Sequence, residues 1–167
     1  MHGSVMGWLA ERATLLPRLD QARVLEVGSY DENGSAREIF EGRCLEYWGI
    51  DARDGRGVDE VSAAAAITNS DGYYDLVICT EMLEHDPTPW LSLPEMARVL
   101  ASGGSLLMTA RGFDEYQGCY GRHDCPKDYW RFNVQSFEVL IEWAGLRSVQ
   151  VIPDPEVPGV FGHAVKP

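Results

Sequence analysis

Short apolar runs alternate along this chain with stretches whose apolar residues recur every three to four positions. The runs predict strands at 23–27, 45–50, 58–62, 76–79, 105–109, 148–152 and 160–165. Val5, Trp8, Leu9, Leu15, Leu16 and Leu19 share one helical face and predict a leading helix over 5–19, interrupted near Pro17. A short helix follows at 35–41. Leu91, Leu93, Met96, Val99 and Leu100 predict another over 90–101, stopping at Gly103 and Gly104. Val134, Phe137, Leu140 and Ile141 predict a last one over 134–144. Strands alternating with helices have one economical packing, an open doubly wound sheet whose ligands lie at the carboxyl ends of its strands. The expected organisation is a leader helix over 1–22 packed on one domain spanning 23–167.

Composition narrows the class. With 167 residues, 45% of them hydrophobic and 24% charged, the chain has material for one globular core. No apolar run approaches the roughly 20 residues of a membrane span, and the first residues lack the basic and apolar regions of a secretory signal. A cytoplasmic protein, monomeric or homodimeric and without a membrane partner, is expected. The formal charge of −12 repels a phosphate backbone, and no basic run offsets it, which argues against nucleic acid. Cys44, Cys79, Cys119 and Cys125 form no CxxC pair and read as reduced thiols. Cys119, His123 and Cys125 cluster, but their spacing matches no zinc motif and lacks a fourth ligand, so no metal is expected.

The stretch from Val24 to Ser35 carries the first chemistry. A strand, a glycine at Gly28 and a following helix suggest a nucleotide-binding turn. A dinucleotide site needs a second glycine two positions on, where backbone approaches a pyrophosphate; Tyr30 stands there instead. That disfavours a nicotinamide oxidoreductase and suits a ligand without phosphates. Asp51, 23 positions after Gly28 at the end of the second strand, can accept bonds from both ribose hydroxyls. Glu26 can hold an ammonium group, directly or through water.

Val24-Leu25-Glu26-Val27-Gly28-Ser29-Tyr30 with Asn33-Gly34-Ser35 resembles motif I of class I S-adenosylmethionine-dependent methyltransferases. Gly49-Ile50-Asp51 resembles their ribose-binding strand end. The run from Tyr74 to His85 is similar to their fourth strand and the turn after it, and Glu95 to Leu100 with Gly103-Gly104 to their next helix and turn. The resemblance runs in order from Val24 to Gly145. It implies a Rossmann-like three-layer α/β/α fold with a mostly parallel seven-stranded sheet whose last strand is antiparallel. It further implies S-adenosylmethionine as cofactor, with Glu26, Gly28, Ser29, Tyr30 and Gly34 along the methionine portion and Asp51 on the ribose. Ala52 packs on adenine in this reading, and Thr80, Glu81 and Met82 border the sulfonium. Ala63 stands where many relatives place an acid for the adenine amino group, leaving backbone near Ala63 and Ala64 to contact it.

For the acceptor side, His85 follows the fourth-strand turn and is a candidate base, or a capping histidine. In the stretch from Arg122 to Phe132, His123, Asp128 and Tyr129 are candidates for the acceptor. This stretch resembles the His-x-x-Pro-x-Asp-Tyr-Trp-Arg-Phe run of some of these methyltransferases. Trp130 and Phe132 read as packing anchors, and Arg131 as a carboxylate partner. No Asn/Asp-Pro-Pro-aromatic motif follows the fourth strand, where Thr80-Glu81-Met82-Leu83 stands, which argues against amino methylation of bases. A small molecule, glycan or peptide group is the expected acceptor. A catalytically silent adenosyl-binding module is the alternative, with an oxidoreductase behind it.

Overall fold

The strands pair into one twisted sheet with helices on both faces. The computed structural model describes residues 2–113 and 128–167. In chain order the elements are α1 (Gly3–Leu15), β1 (Arg23–Val27), α2 (Arg37–Phe40), β2 (Glu46–Asp51), β3 (Glu60–Val61), β4 (Tyr74–Thr80), α3 (Pro89–Val99), β5 (Leu100–Arg111), α4 (Val134–Trp143), β6 (Arg147–Pro153) and β7 (Gly159–Val165). Single-turn 3-10 helices lie at Leu19–Gln21 and Leu83–His85. The strand order is β3-β2-β1-β4-β5-β7-β6. β1 runs parallel to β2 and β4, and β4 parallel to β5, while β7 is antiparallel to both β5 and β6. This is the seven-stranded Rossmann-like sheet with one antiparallel strand that the sequence led us to expect.

Strand geometry sends alternate side chains to opposite faces, so a central strand covered on both sides is apolar throughout. In β1 and β4 that rule sorts the core. Val24, Leu76 and Ile78 join Val5, Trp8 and Leu9 of α1 and Phe40 of α2 on one face. Leu25, Val77 and Cys79 join Leu93 and Met96 of α3 and Phe137 and Ile141 of α4 on the other. The leader helix is therefore part of the core. It stops earlier than its periodicity suggests, because Leu16 precedes Pro17 and is driven to an extended conformation.

One expectation needs correcting. The helix over 90–101 does not stop at the glycine pair. α3 ends at Val99, and the chain enters β5 at once, through Gly103 and Gly104. The pair lies in a bulge, where partners jump from Tyr74 with Leu100 to Leu76 with Ser105. Gly103 has φ +80, and the Gly103 N–H donates to the Lys166 carbonyl at 2.8 Å. The Lys166 ammonium donates to the carbonyls of Arg98 and Leu100, occupying orphan acceptors at the end of α3.

The topology fixes where a ligand can sit. From β1 the chain moves outward to β2 and β3, then crosses back to β4 on the other side. The carboxyl ends of β1 and β4 thus flank a crevice, the usual binding position in open α/β sheets. Among the described residues, no helix is long and apolar enough to cross a membrane.

Candidate functional site

Gly28, the residue after β1, has φ +83 and almost no free space above it. A Cβ there would lie 2.6 Å from Cγ of Met82. Gly28 thus lets the segment after β4 close onto the turn after β1. The Gly28 and Ser29 N–H groups both donate to the Ile50 carbonyl, at 2.9 and 3.0 Å, tying this turn to the end of β2.

Asp31, unremarked in the sequence, closes the turn from its other side. The Asp31 carboxylate accepts the Gly34 N–H at 2.8 Å and meets Arg56 Nε at 2.9 Å, while the Asp31 N–H donates to the Arg56 carbonyl. The loop after β2 therefore packs on the glycine turn. A Cβ on Gly57 would meet the Ser29 carbonyl oxygen at 2.6 Å, and one on Gly55 would meet the Tyr30 ring at 2.4 Å. The Tyr30 ring lies against Gly55 with the Arg53 guanidinium 4.2 Å from its centroid. A bulky residue is tolerated where dinucleotide sites need glycine because its ring packs on this loop.

Asp51 sits where β2 meets that loop. Its carboxylate accepts the Arg53 N–H at 2.9 Å and the Tyr30 N–H at 3.3 Å, and its side chain keeps 12% of its exposure. Glu26 is enclosed, at 1% exposure. Its carboxylate accepts from the Tyr47 hydroxyl at 2.8 Å, the Ser35 hydroxyl at 2.9 Å and the Ala36 N–H at 3.2 Å. Burial pushes its carboxyl pKa up, and these three donors pull it back. The Ser29 hydroxyl is buried beside Gly49 and has no partner among the described residues. Ala52 and Ala63 are exposed, and Ala64 packs against the core. The Ala66 N–H donates to the Ala63 carbonyl, forming a turn after β3.

A second group gathers at the ends of β4 and β5. Thr80 is buried, and the next residue, Glu81, has φ +51. The Thr109 hydroxyl donates to Glu81 Oε1 at 2.9 Å, and Arg111 Nη1 stands 3.8 Å from Oε2. His85 ends the Leu83–His85 turn, half-buried, its N–H donating to the Met82 carbonyl. Asp128 is ion-paired with Arg131, as the packing view of that arginine expects. The Tyr129 and Trp130 N–H groups both donate to the Glu84 carbonyl, at 2.7 and 3.2 Å, and Tyr129 is otherwise exposed. Phe132 is buried against Phe137, whereas Trp130 is partly exposed and packs edge-on against Trp90. His123, with Cys119 and Cys125, lies outside the described residues. Among the described residues, no group of three or more His, Cys, Asp or Glu side chains is placed to hold a metal ion.

Residues this far apart in sequence gave no joint signal. Glu84, Arg111 and His2 carry no local signal of their own in the sequence. Glu84 is 1% exposed, and neither carboxylate oxygen has a hydrogen-bond partner among the described residues. Burial, with the Glu81 carboxylate nearby, holds its pKa well above the usual range. A carboxyl pKa raised on folding stabilises below the unfolded value, and that stability is lost as pH rises through the folded one. The melting temperature should therefore fall as pH rises above the ordinary carboxylate range, and fall less in Glu84→Gln. Equal slopes in the two proteins, by thermal denaturation above that range, would contradict this assignment.

Comparison with known proteins places these features in a family. The family described as Methyltransferase domain matches residues 6–151. The ubiquinone biosynthesis O-methyltransferase of Nitrosomonas europaea is 33% identical over 101 residues, covering 52% of this chain and 42% of that protein. The match thus spans less than half of that relative's length. The YcgJ protein of Bacillus subtilis shares the fold at a TM-score of 0.77 and 15% identity, with 99% of each chain covered. A further structure is the 1,6-didemethyltoxoflavin-N1-methyltransferase of Burkholderia thailandensis, with bound 1,6-didemethyltoxoflavin and S-adenosylhomocysteine. It superposes at 0.75 and 15% identity, over 98% of this chain and 78% of that one.

Proposed function

The chain belongs to the methyltransferase-domain family, in its class I form, and on that premise we propose that it uses S-adenosylmethionine to methylate a hydroxyl on a small molecule. The observation that carries this reading is Asp51, an acid closing β2 beside a glycine turn at the crevice between β1 and β4. The residues suit the cofactor. Asp51 retains lone pairs for the ribose hydroxyls. The buried, unpartnered Ser29 hydroxyl and the Gly28 turn would border the methionine portion, and Met82 on Gly28 would flank the sulfonium. Tyr30 and Gly34 support the turn, and Ala52, Ala63 and Ala64 supply small surfaces and backbone for adenine. Glu26 braces the turn from inside, through Tyr47, Ser35 and Ala36.

The cofactor supplies an activated methyl group, so the protein's work is alignment, exclusion of water and removal of one proton. Alignment alone contributes on the order of 7–11 kcal/mol in the best intramolecular analogues. The ends of β4 and β5 would hold the acceptor, with Thr80, Glu81, His85, Asp128 and Tyr129 near it. An oxygen acceptor is favoured by the matched relative, which is an O-methyltransferase. A small, partly apolar molecule is favoured by the exposed Tyr129, Trp130 and Trp90 beside that edge.

Asp51→Ala should weaken S-adenosylhomocysteine binding by about 1–3 kcal/mol, the cost of leaving ligand hydroxyls unpaired. Asp51→Asn, which keeps an accepting oxygen, should lose less. Calorimetric titration of the folded variants checks this, and unchanged affinity in Asp51→Ala would move the ribose site elsewhere.

A further inference from the structure

Among the described residues, only Arg18 and Glu81 are non-glycine residues with positive φ. Strained backbone persists where the surroundings impose it, and it gathers at functional sites. Arg18 starts a surface turn. Glu81 stands at the carboxyl edge of β4, beside the crevice. The Glu81 N–H donates to the Thr109 carbonyl at 3.1 Å, and its Oε1 accepts the Thr109 hydroxyl, so β5 fixes the residue at its backbone and at one carboxylate oxygen.

The other oxygen is differently placed. Oε2 accepts no hydrogen bond from the described residues, and Arg111 Nη1 stays 3.8 Å away. Arg111 is held back by His2, whose Nε2 lies 2.8 Å from the same guanidinium nitrogen. The first turn of α1 is fastened nearby, where the Ser4 hydroxyl donates to Asp154 at 3.0 Å. One oxygen of Glu81 is thus anchored, and the other is oriented but open. Burial also pushes the Glu81 carboxyl pKa up, which makes the carboxylate a better base.

Resting on the methyltransferase reading above, we propose that Glu81 is the general base that takes the proton from an aromatic hydroxyl acceptor, with Arg111 and His2 as the residues that position it. An aromatic acceptor fits the exposed rings of Phe113, two residues after Arg111, and of Tyr129 and Trp130, whose N–H groups donate to the Glu84 carbonyl. In the step, the hydroxyl proton passes to Oε2 as the acceptor oxygen bonds to the methyl carbon. The carbon–sulfur bond breaks with its electron pair staying on sulfur, which leaves as the neutral thioether. The proton on Glu81 is then lost to water.

The test uses the full chain with saturating S-adenosylhomocysteine and 4-nitrocatechol, whose ionised form is read by absorbance. The wild-type complex should ionise the bound probe at a pH where the free probe is mostly neutral. Glu81→Gln should reduce the ionisation constant of the bound probe about tenfold or more, which is one pKa unit. With S-adenosylmethionine in place of the homocysteine, methylation of the probe should fall about 10²–10⁴-fold. Glu81→Gly separates base from scaffold. It relieves the positive φ and should melt no earlier than wild type, yet it should ionise the probe no better than Glu81→Gln. The proposal is overturned if either variant ionises the probe as wild type does, or if wild type neither binds nor ionises it. S-adenosylhomocysteine binding, measured separately, should remain detectable in all three proteins. Its absence in wild type would instead defeat the cofactor reading.

Discussion

Gly28→Ala is expected to lower the melting temperature by about 5–15 °C and to abolish measurable S-adenosylhomocysteine binding. Two costs add at this position. An alanine at φ +83 is in the left-handed region, which costs about 1–2 kcal/mol. Its methyl group would also lie 2.6 Å from Met82 Cγ and 2.7 Å from Met82 Cβ, and overpacking of this kind costs about 1–3 kcal/mol. Together these take a large share of a typical stability of about 5–15 kcal/mol. The binding loss follows because the turn after β1 and the segment after β4 share this contact, and both flank the crevice. Gly28→Ala combined with Met82→Ala should recover only the crowding due to Cγ, since alanine keeps the Cβ 2.7 Å away, and none of the part due to φ. Thermal melts of the single and double variants check this. A Gly28→Ala protein as stable as wild type would contradict the close packing of Met82.

Glu26→Ala should cost about 2–4 kcal/mol, because it strips the acceptor from three buried donors at once. The Tyr47 hydroxyl, the Ser35 hydroxyl and the Ala36 N–H all end on this carboxylate, joining β2 and the start of α2 to β1. Tyr47→Phe removes one of those donors and should cost about 1 kcal/mol in wild type, but close to nothing in Glu26→Ala. Denaturant unfolding of the four proteins of this cycle measures the coupling. Additive costs would show that Tyr47 does not depend on Glu26. Glu26→Gln should leave S-adenosylhomocysteine affinity within a few-fold, since the carboxylate is spent inside the protein.

Legibility differed between local and long-range features. β1 is legible to the residue because a doubly covered central strand is buried at every position but its exposed first residue, Arg23, and apolar at each buried position but Glu26. β5 is not. Its first residues follow α3 without a break, and a glycine pair that reads as a helix stop instead forms a bulge. β3 is shorter than read, Glu60–Val61 against 58–62, because Val58 belongs to a turn in which its N–H donates to the Gly55 carbonyl. Leu91 fits the helical period of α3 yet is exposed, so period alone overstates the buried face.

In the site, the glycine turn and Asp51 are local to one strand–turn unit each, and motif and spacing found both. Asp31 escaped notice, because its importance lies in the loop it fastens, 25 positions on at Arg56. Glu26 could be placed at the right strand end, but its burial could not be read, since Tyr47 and Ser35 reach it from other elements. His2, Glu81 and Arg111 meet only through the fold, which carries the first turn of α1 to the ends of β4 and β5.

The most direct test of the account is calorimetric titration of the full chain with S-adenosylhomocysteine and, separately, with NAD. The methyltransferase reading predicts saturable one-site binding of S-adenosylhomocysteine, a higher melting temperature in its presence, and no response to NAD. Binding of NAD with no heat from S-adenosylhomocysteine would contradict it.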